Sequence, residues 1–527
     1  MANGIQGKKQ MTINCRASDI QPRPADEVEL CIIGTGIAGL NALFAASEHL
    51  GPNDRVLVID RKLAPGGMWT QVYDYSRLHQ PHRSFTVGDM EWDWSKPSHY
   101  LSTGTEVRAH LGRCFTQLQR KTRCRALFGH TVTCCREIRT SRGTRVEVKF
   151  HNNGRPGSQR RIWAKRVIKA AGFDVQPVDP LEFTSNRVVS TTPERLGPER
   201  HFDERVPAYV IGGGKTAMDT AHALITAAPG RKVTLVSGRG TIFVDRDMLA
   251  PKGITRWWKG KPLASFFRDL ALRFDGANED EVFEHFRTSY GIGIDGKEEN
   301  FLFGLLSTAE RDRIAQGLHE VIGHYLHDVV DGPAGPTMIL RGGGRRMVEP
   351  GAIFVNCTGH LLRRHHPYEP YLSPDGAILS ITPRSLTHFL SSMAGYLLPH
   401  LFLTGKLASV PLYEVDGEGL HSLGQRIYHT AMFSLTFLNT ILIYRALPRD
   451  VIMRCGLDID RHYPMIRRLA SAIDIERNGD RYADHCRTAL DRVHRKWGVR
   501  CGPLAAKGSA DPEMPFAAAE PLRAHAA

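Results

Sequence analysis

Two short glycine-rich stretches combine residue types and spacing that could do chemistry. The first, Gly34-Thr35-Gly36-Ile37-Ala38-Gly39, follows the apolar run Glu29-Leu-Cys-Ile-Ile and precedes apolar residues at helical spacing, Leu40, Leu43, Phe44 and Leu50. The second, Gly212-Gly-Gly214-Lys215-Thr216-Ala217, follows Ala208-Tyr-Val-Ile and precedes a helical stretch through Ala228. In the pattern G-x-G-x-x-G/A, the first glycine permits a tight turn and the second lets backbone approach a pyrophosphate. The third small residue lets helix and strand pack closely. A helix starting there offers N–H groups to phosphate oxygens. Both stretches are therefore expected to bind dinucleotides.

The two stretches differ opposite the adenosine sugar. The run Val56-Leu-Val-Ile-Asp60, followed by Arg61, ends in an acid 26 residues after Gly34. Asp60 would accept hydrogen bonds from a ribose and repel a 2′-phosphate, which suits FAD or NAD. The matching run Val233-Thr-Leu-Val ends in Ser237-Gly-Arg239, with no acid. Arginine can grip a 2′-phosphate bidentately, which favours NADPH over NADH. A flavin at one site and NADPH at the other describe hydride passing from nicotinamide to flavin.

The elements that must position these residues are two strand–turn–helix units. The expected fold class is α/β, with two Rossmann-like dinucleotide-binding domains, one for FAD and one for NADPH, and a helical insertion. The expected FAD domain is discontinuous, covering residues 27–180 and 335–450. The expected NADPH domain covers 181–334, with a mostly helical insertion over 241–330. Within that insertion lie a helix over 263–274 and another that opens with the capping box Ser307-x-x-Glu310 and runs to His327. Residues 338–340 and 352–355 read as strands returning to the sheet. A helix over 421–447 reads as core rather than as a membrane anchor. A helical region over 451–502 and disordered tails at 1–26 and 503–527 complete the expectation.

Composition narrows the function classes. With 527 residues, 42% apolar and 24% charged, the chain reads as a multidomain globular protein, neither fibrous nor disordered throughout. Ten cysteines form no C-x-x-C, so neither a zinc ribbon nor a thioredoxin-type redox centre finds support, and no metal site is expected. Residues 101–170 hold 17 basic and three acidic residues, an excess equal to the whole chain's +14. Such a run usually forms a solvated face, and no nucleic-acid partner is expected. Residues 1–26 lack an apolar leader core, and the most apolar stretch, 431–444, is shorter than the roughly 18 residues of a membrane span. No membrane span and a cytoplasmic location are the expectation.

A further motif, Gly66-Gly67-Met68-Trp69, is followed by Tyr73-Asp74-Tyr-Ser-Arg-Leu78-His79-Gln-Pro81. With Gly34 and Gly212 lying 178 residues apart, the chain resembles the flavin-containing monooxygenase superfamily. Members of that superfamily share the first fingerprint, then G-G-x-W, then the second. The stretch from Tyr73 is similar to that of plant YUCCA-type members, although Ser76 replaces a leucine. The resemblance spans residues 27–240 and, more weakly, the chain to 410. It implies that Trp69, Leu78 and His79 lie beside the flavin. It also implies that Ala170-Ala171-Gly172 and Asn356-Cys357-Thr358-Gly359 are interdomain crossings near the cofactors, and that Leu403-Thr404-Gly405 closes the FAD site.

The activity implied is oxygenation of a small organic substrate by O2 through a flavin C4a-(hydro)peroxide. The cofactor carries that chemistry, so no catalytic acid or base is assigned. One stretch departs from the pattern: the family's F-x-G-x-x-x-H is replaced by Phe183-Thr-Ser185-Asn-Arg-Val-Val189-Ser190. That departure leaves a flavoprotein reductase or dehydrogenase without oxygenation as the alternative. A non-enzymatic, nucleotide-stabilised binding protein using the basic window is a third class.

Overall fold

The computed structural model describes residues 27–504, apart from residues 156, 174, 176, 198, 200, 203, 204 and 360–365. The tail expected over 1–26 and residues 505–527 of the tail expected over 503–527 lie outside the described residues, whereas Pro503 is no part of a tail: it ends a strand and pairs with Tyr413. The first apolar run forms strand β1 (Glu27–Ile33), followed by helix α1 (Ile37–His49) and β2 (Val56–Asp60). The two strands run parallel, with Ile33 opposite Ile59, and every residue of β2 is buried, as befits a strand covered on both faces. Helix α2 (Gly104–Thr122) opens on a capping box made by Thr103 and Glu106. It leads into β3 (Arg125–Phe128), β4 (His130–Thr140), β5 (Gly143–Asn152) and β6 (Arg160–Lys169). The sheet order is β3-β2-β1-β6-β5-β4.

The second unit contains β7 (Val189–Thr191), β8 (Ala208–Ile211), α3 (Lys215–Ala227) and β9 (Val233–Val236). The chain then leaves the sheet through β10 (Thr241–Asp245), α4 (Arg246–Leu249), α5 (Leu263–Arg273), α6 (Glu279–Ser289), β11 (Gly291–Ile292), β12 (Asn300–Leu306) and α7 (Thr308–Gly317). It continues as β13 (Glu320–Ile322), β14 (Leu326–Gly332), β15 (Gly335–Leu340), β16 (Arg345–Met347) and β17 (Ile353–Asn356). Strands β13-β9-β8-β17-β7 form a second, wholly parallel sheet.

Several expectations need correction. The insertion over 241–330 is helical only in part, because β10, β11 and β12 form a three-stranded sheet of their own. Ser307 and Glu310 do form their capping box, but that helix stops at Gly317. The β-branched pair Val321 and Ile322 then supplies an edge strand beside β9, so a helix to His327 is impossible. The return to the first sheet comes later than residue 335: β15 pairs only with β14 and β16, and β17 lies between β8 and β7. The chain rejoins the first sheet as β18 (Ile378–Ser380), pairing with residues 167–169 of β6, beyond the 160–164 stretch that β5 pairs.

The remainder comprises α8 (Ser391–Leu403), β19 (Tyr413–Val415), α9 (Gly417–Ser422), α10 (Gln425–Ala446), α11 (Arg449–Met453), α12 (Met465–Trp497) and β20 (Cys501–Pro503). The single helix expected over 421–447 is divided at Gly424, whose φ of +124° no helix accepts. Helix α10 is long and apolar enough to cross a membrane, yet 83% of its most apolar window is buried. Part of the basic window is paired where it stands. The buried carboxylate of Glu147 faces Arg136, Arg161 and Lys149; Glu29 faces Lys165 and Arg166; Lys169 pairs with Glu369.

Candidate functional site

The first cradle is fixed by backbone closeness. Gly34 has φ +99°, and a Cβ on it would stand 2.4 Å from the Ala170 carbonyl oxygen. A Cβ on Gly39 would meet the Gly34 carbonyl oxygen at 1.9 Å, so these positions admit only glycine. Gly36 is the N-cap of α1, which has neither a side-chain cap nor an acid in its first turn. The N–H groups around Ile37 and Ala38 thus keep an anion-seeking end. Gly66 and Gly67 roof this loop: Gly66 N–H donates to the Thr35 carbonyl at 3.0 Å, and a Cβ on Gly67 would lie 2.6 Å from the Gly36 Cα.

Asp60 is more engaged than its place in the sequence suggests. Its Oδ2 accepts from the Thr35 amide at 2.6 Å and from the Thr35 hydroxyl at 2.5 Å, while Oδ1 accepts from the Lys62 amide at 2.8 Å. A carboxylate offers about four lone-pair sites. Three are therefore spent within the protein, two of them on Thr35 of the cradle, which leaves one open. Arg61 beside it is exposed.

Around this cradle, Trp69 packs edge-on against Phe85 at 5.8 Å, Met68 points outward and Leu78 is buried. Gly172 and Gly405 take left-handed φ angles of +69° and +72°, and Gly359 lies exposed just before residues outside the description. Helix α8 crosses α1 at a residue the sequence reading missed. A Cβ on Gly395 would lie 2.5 Å from the Ala38 Cα. A glycine inside an apolar helix was the signal for such an approach.

The second cradle repeats the design. Gly212 has φ +125°, and a Cβ there would lie 2.9 Å from the Cys357 carbonyl oxygen. Gly214 caps α3 without a side-chain bond or an acid in the first turn, and nothing stands within 4 Å of a Cβ placed on it. Ala217 is fully buried, Thr216 is half-buried, and the Ser237 amide donates to the Ile322 carbonyl at 3.0 Å. Arg239 is exposed beyond the end of β9, where its Nε–H donates to the Tyr325 hydroxyl at 3.3 Å. The Arg341 guanidinium lies 5.7 Å over the same ring.

Where the two units meet, charges are arranged in a chain. The Tyr73 hydroxyl donates to Asp219 Oδ2 at 2.8 Å, and the hydroxyls of Tyr75 and Thr220 are 2.8 Å apart. Lys215 is only 11% exposed and pairs with Asp219 one helical turn on, so it is neither a solvated surface lysine nor a cation loose beside the cradle. Arg246 donates to the His79 carbonyl at 3.2 Å and pairs with Glu310, which also caps α7. Burial, then the positive charge of Lys215, pushes the His79 imidazole down to about 4, so it is neutral near pH 7. Burial would raise the Glu310 carboxyl, but Arg246 and Lys215 outweigh it and hold it at about 2. Burial and the neighbouring Asp219 push the Tyr73 phenol well up, so it keeps its proton and donates.

The stretch that departs from the family pattern is structural. Phe183 packs on Phe354 at 5.0 Å, the Ser185 hydroxyl donates to Asp331 at 2.6 Å, and Val189 opens edge strand β7. Among the described residues, no group of three or more His, Cys, Asp and Glu is placed to hold a metal, and the nine cysteines are free.

Comparison with known proteins gives the following. Residues 28–252 match the family described as pyridine nucleotide-disulphide oxidoreductase. Uncharacterized proteins of Mycobacterium bovis and Mycobacterium tuberculosis are 25% identical over 368 residues, 65% of this chain and 63% of theirs. The chain thus spans less than two thirds of the length of these relatives. Among solved structures, a flavin-containing monooxygenase from Stenotrophomonas maltophilia is similar at 15% identity and a TM-score of 0.43, covering 73% of this chain and 99% of that one. An ornithine hydroxylase from Pseudomonas aeruginosa is similar at 13% identity and 0.47, covering 72% and 99%. A bacillithiol disulfide reductase from Bacillus cereus is similar at 13% identity and 0.41, covering 73% and 99%.

Proposed function

We propose that this chain, whose residues 28–252 match the pyridine nucleotide-disulphide oxidoreductase family, is an FAD- and NADPH-dependent flavoprotein monooxygenase acting on a small organic substrate. One observation carries the reading. Two uncapped helix N-termini rise from glycine loops at the ends of two parallel strand sets, one with Asp60 and the other with Arg239 on the sugar side.

The residues present fit the two groups. Gly34, Gly36 and the first turn of α1 would hold the FAD pyrophosphate, and Asp60 has one lone pair left for the ribose. The open face of Gly214 would admit the NADPH pyrophosphate, because a Cβ would fill the space a phosphate needs. Arg239 would take the 2′-phosphate. A bound flavin supplies hydride acceptance and activation of O2. The chain's own part is positional. The bond from Tyr73 to Asp219 fixes the first cradle's flank against the second cradle's helix, and Arg246 holds the His79 backbone between them. Neutral His79 and the protonated phenol of Tyr73 would add no negative charge of their own beside a bound nicotinamide.

The test is the visible spectrum of the purified full chain, then oxidation of NADPH in the presence of amines, sulfides and carbonyl compounds. Yellow protein whose NADPH and O2 consumption rise with one substrate class supports the reading. Colourless protein that takes up no added FAD overturns it. A second reading, reduction without oxygenation, is favoured by the purely structural role of residues 183–190. It predicts NADPH oxidation driven by a quinone and indifferent to O2.

A further inference from the structure

Large apolar side chains outside both cradles collect on two neighbouring segments. Ile254, Trp257 and Trp258, on and just after a short 3-10 turn, and Ile466, Leu469 and Ile473, on the first turns of α12, are each at least 50% exposed. With Met453 and Met465, they make up eight of the fourteen large apolar residues that are exposed among the described residues, so the clustering is not the ordinary scatter of single surface residues. On α12, positions 466, 469 and 473 follow the i, i+3, i+7 spacing of one stripe. No residue of α12 before Gly479 is buried.

The two segments form one surface. The Arg467 guanidinium donates to the carbonyls of Arg256 at 3.0 Å and Gly260 at 2.7 Å, clamping the tryptophan turn to the start of α12. On the other flank, Arg468 donates to the Met453 sulfur at 3.7 Å. The rim is cationic: residues 252–260 contain Lys252, Arg256 and Lys259 and no acid, while the next lysine, Lys261, is already paired with Asp269. Of the acids on the same stretch of α12, Asp474 is already paired with Arg268.

We propose that this face docks on an anionic lipid surface. Trp257 and Trp258 lie at headgroup depth, the α12 stripe reaches the edge of the acyl chains, and the basic residues meet lipid phosphates. Charge complementarity selects this occupant. An exposed stripe of aliphatic side chains flanked by paired tryptophans and lysines suits an interface that is apolar below and negatively charged above. The inference is independent of the cofactor reading.

The experiment is co-sedimentation of the full chain with vesicles of phosphatidylcholine alone and of phosphatidylcholine mixed with phosphatidylglycerol. Binding to the mixed vesicles alone, weakening with added salt, is expected. Trp257→Ser with Trp258→Ser, or Leu469→Gln with Ile473→Gln, should lower partitioning tenfold or more. Lys252→Glu and Lys259→Glu should each lower it about fivefold. All these positions are exposed, so unchanged circular dichroism and melting show that the variants fold. Equal partitioning with and without phosphatidylglycerol, or no effect of the variants, overturns the proposal. So does sedimentation of the free protein as a dimer that Ile466→Asp dissociates. Vesicle binding that appears only after removal of residues 505–527 overturns it too, since the chain's own end would then be the occupant.

Discussion

The phenolic oxygen of Tyr73 lies 2.8 Å from Oδ2 of Asp219, so the segment that flanks the first glycine cradle is hydrogen-bonded to the helix that opens the second. Lys215 holds the other oxygen of the same carboxylate. A single acid thus receives one donor from each half of the molecule.

Tyr73→Phe keeps the ring against Tyr75, 4.6 Å away, but removes the donor. A hydrogen bond to a charged group contributes about 1.5–3 kcal/mol. Flavin reduction by NADPH, followed by rapid mixing under anaerobic conditions, should slow about tenfold or more while FAD stays bound, because none of the FAD cradle is touched. An unchanged rate would show that the two halves are held together elsewhere.

Arg239→Gln should raise the KM for NADPH at least tenfold and leave that for NADH nearly unchanged. The arginine is exposed and, among the described residues, its side chain donates from Nε to the Tyr325 hydroxyl, so its terminal nitrogens are left for a phosphate. Steady-state kinetics with both nucleotides check this; a parallel loss for NADH would place the residue outside the 2′-phosphate site.

Gly395→Ala places a methyl group 2.5 Å from the Ala38 Cα, against backbone that cannot swing aside. Overpacking of this kind costs about 1–3 kcal/mol. The variant should melt at lower temperature and lose FAD on gel filtration, because α8 would lift the first turn of α1 out of position.

Acid should destabilise the fold at a pH where most of its carboxylates are still ionised. Burial pushes His110 and His429 down to about 3, and His388 and His400 down to about 4, so all four are neutral in the folded chain. An unfolded histidine titrates near about 6.5, so between that pH and about 4 only the unfolded chain takes up these protons. Their stabilisation is present above pH 6.5 and is lost as the pH falls, with a slope of roughly 1.4 kcal/mol per unit for each histidine. Asp460, raised to about 7 by burial and by Asp458, acts in the opposite sense, as do Asp458, Asp245 and Glu414, all raised by burial, but His79, His49, His82, His222 and His462 are lowered by burial too and add to the four histidines. Denaturant midpoints at pH 7, 6 and 5 should fall in that order.

The cradles were legible because glycine was demanded there by contacts within a few residues or across one strand pair, as at Gly34, Gly39 and Gly212. The sugar-side acid was legible as a residue but not as a bonded group: Thr35, which takes up Asp60, is 25 positions away and meets it only after the turn closes. Lys215 and Asp219 are one helical turn apart, so their pairing was readable, whereas the arrival of Tyr73 from 146 residues upstream was not. Strands β10 and β12 were missed because short apolar runs such as Thr241–Asp245 fit a buried helix segment equally well. The early end of α7 was announced by Gly317, a common helix stop, and was overlooked.

The pairing of Ile378–Ser380 with the end of β6 has a consequence for synthesis. The ribosome delivers residues 27–169 first, yet their sheet waits for a strand translated some two hundred residues later. Meanwhile the whole of the second sheet, residues 189–356, has emerged and can close by itself. The half made first is therefore finished last, and a message truncated before codon 378 would release a completed second half fused to an open-edged first one.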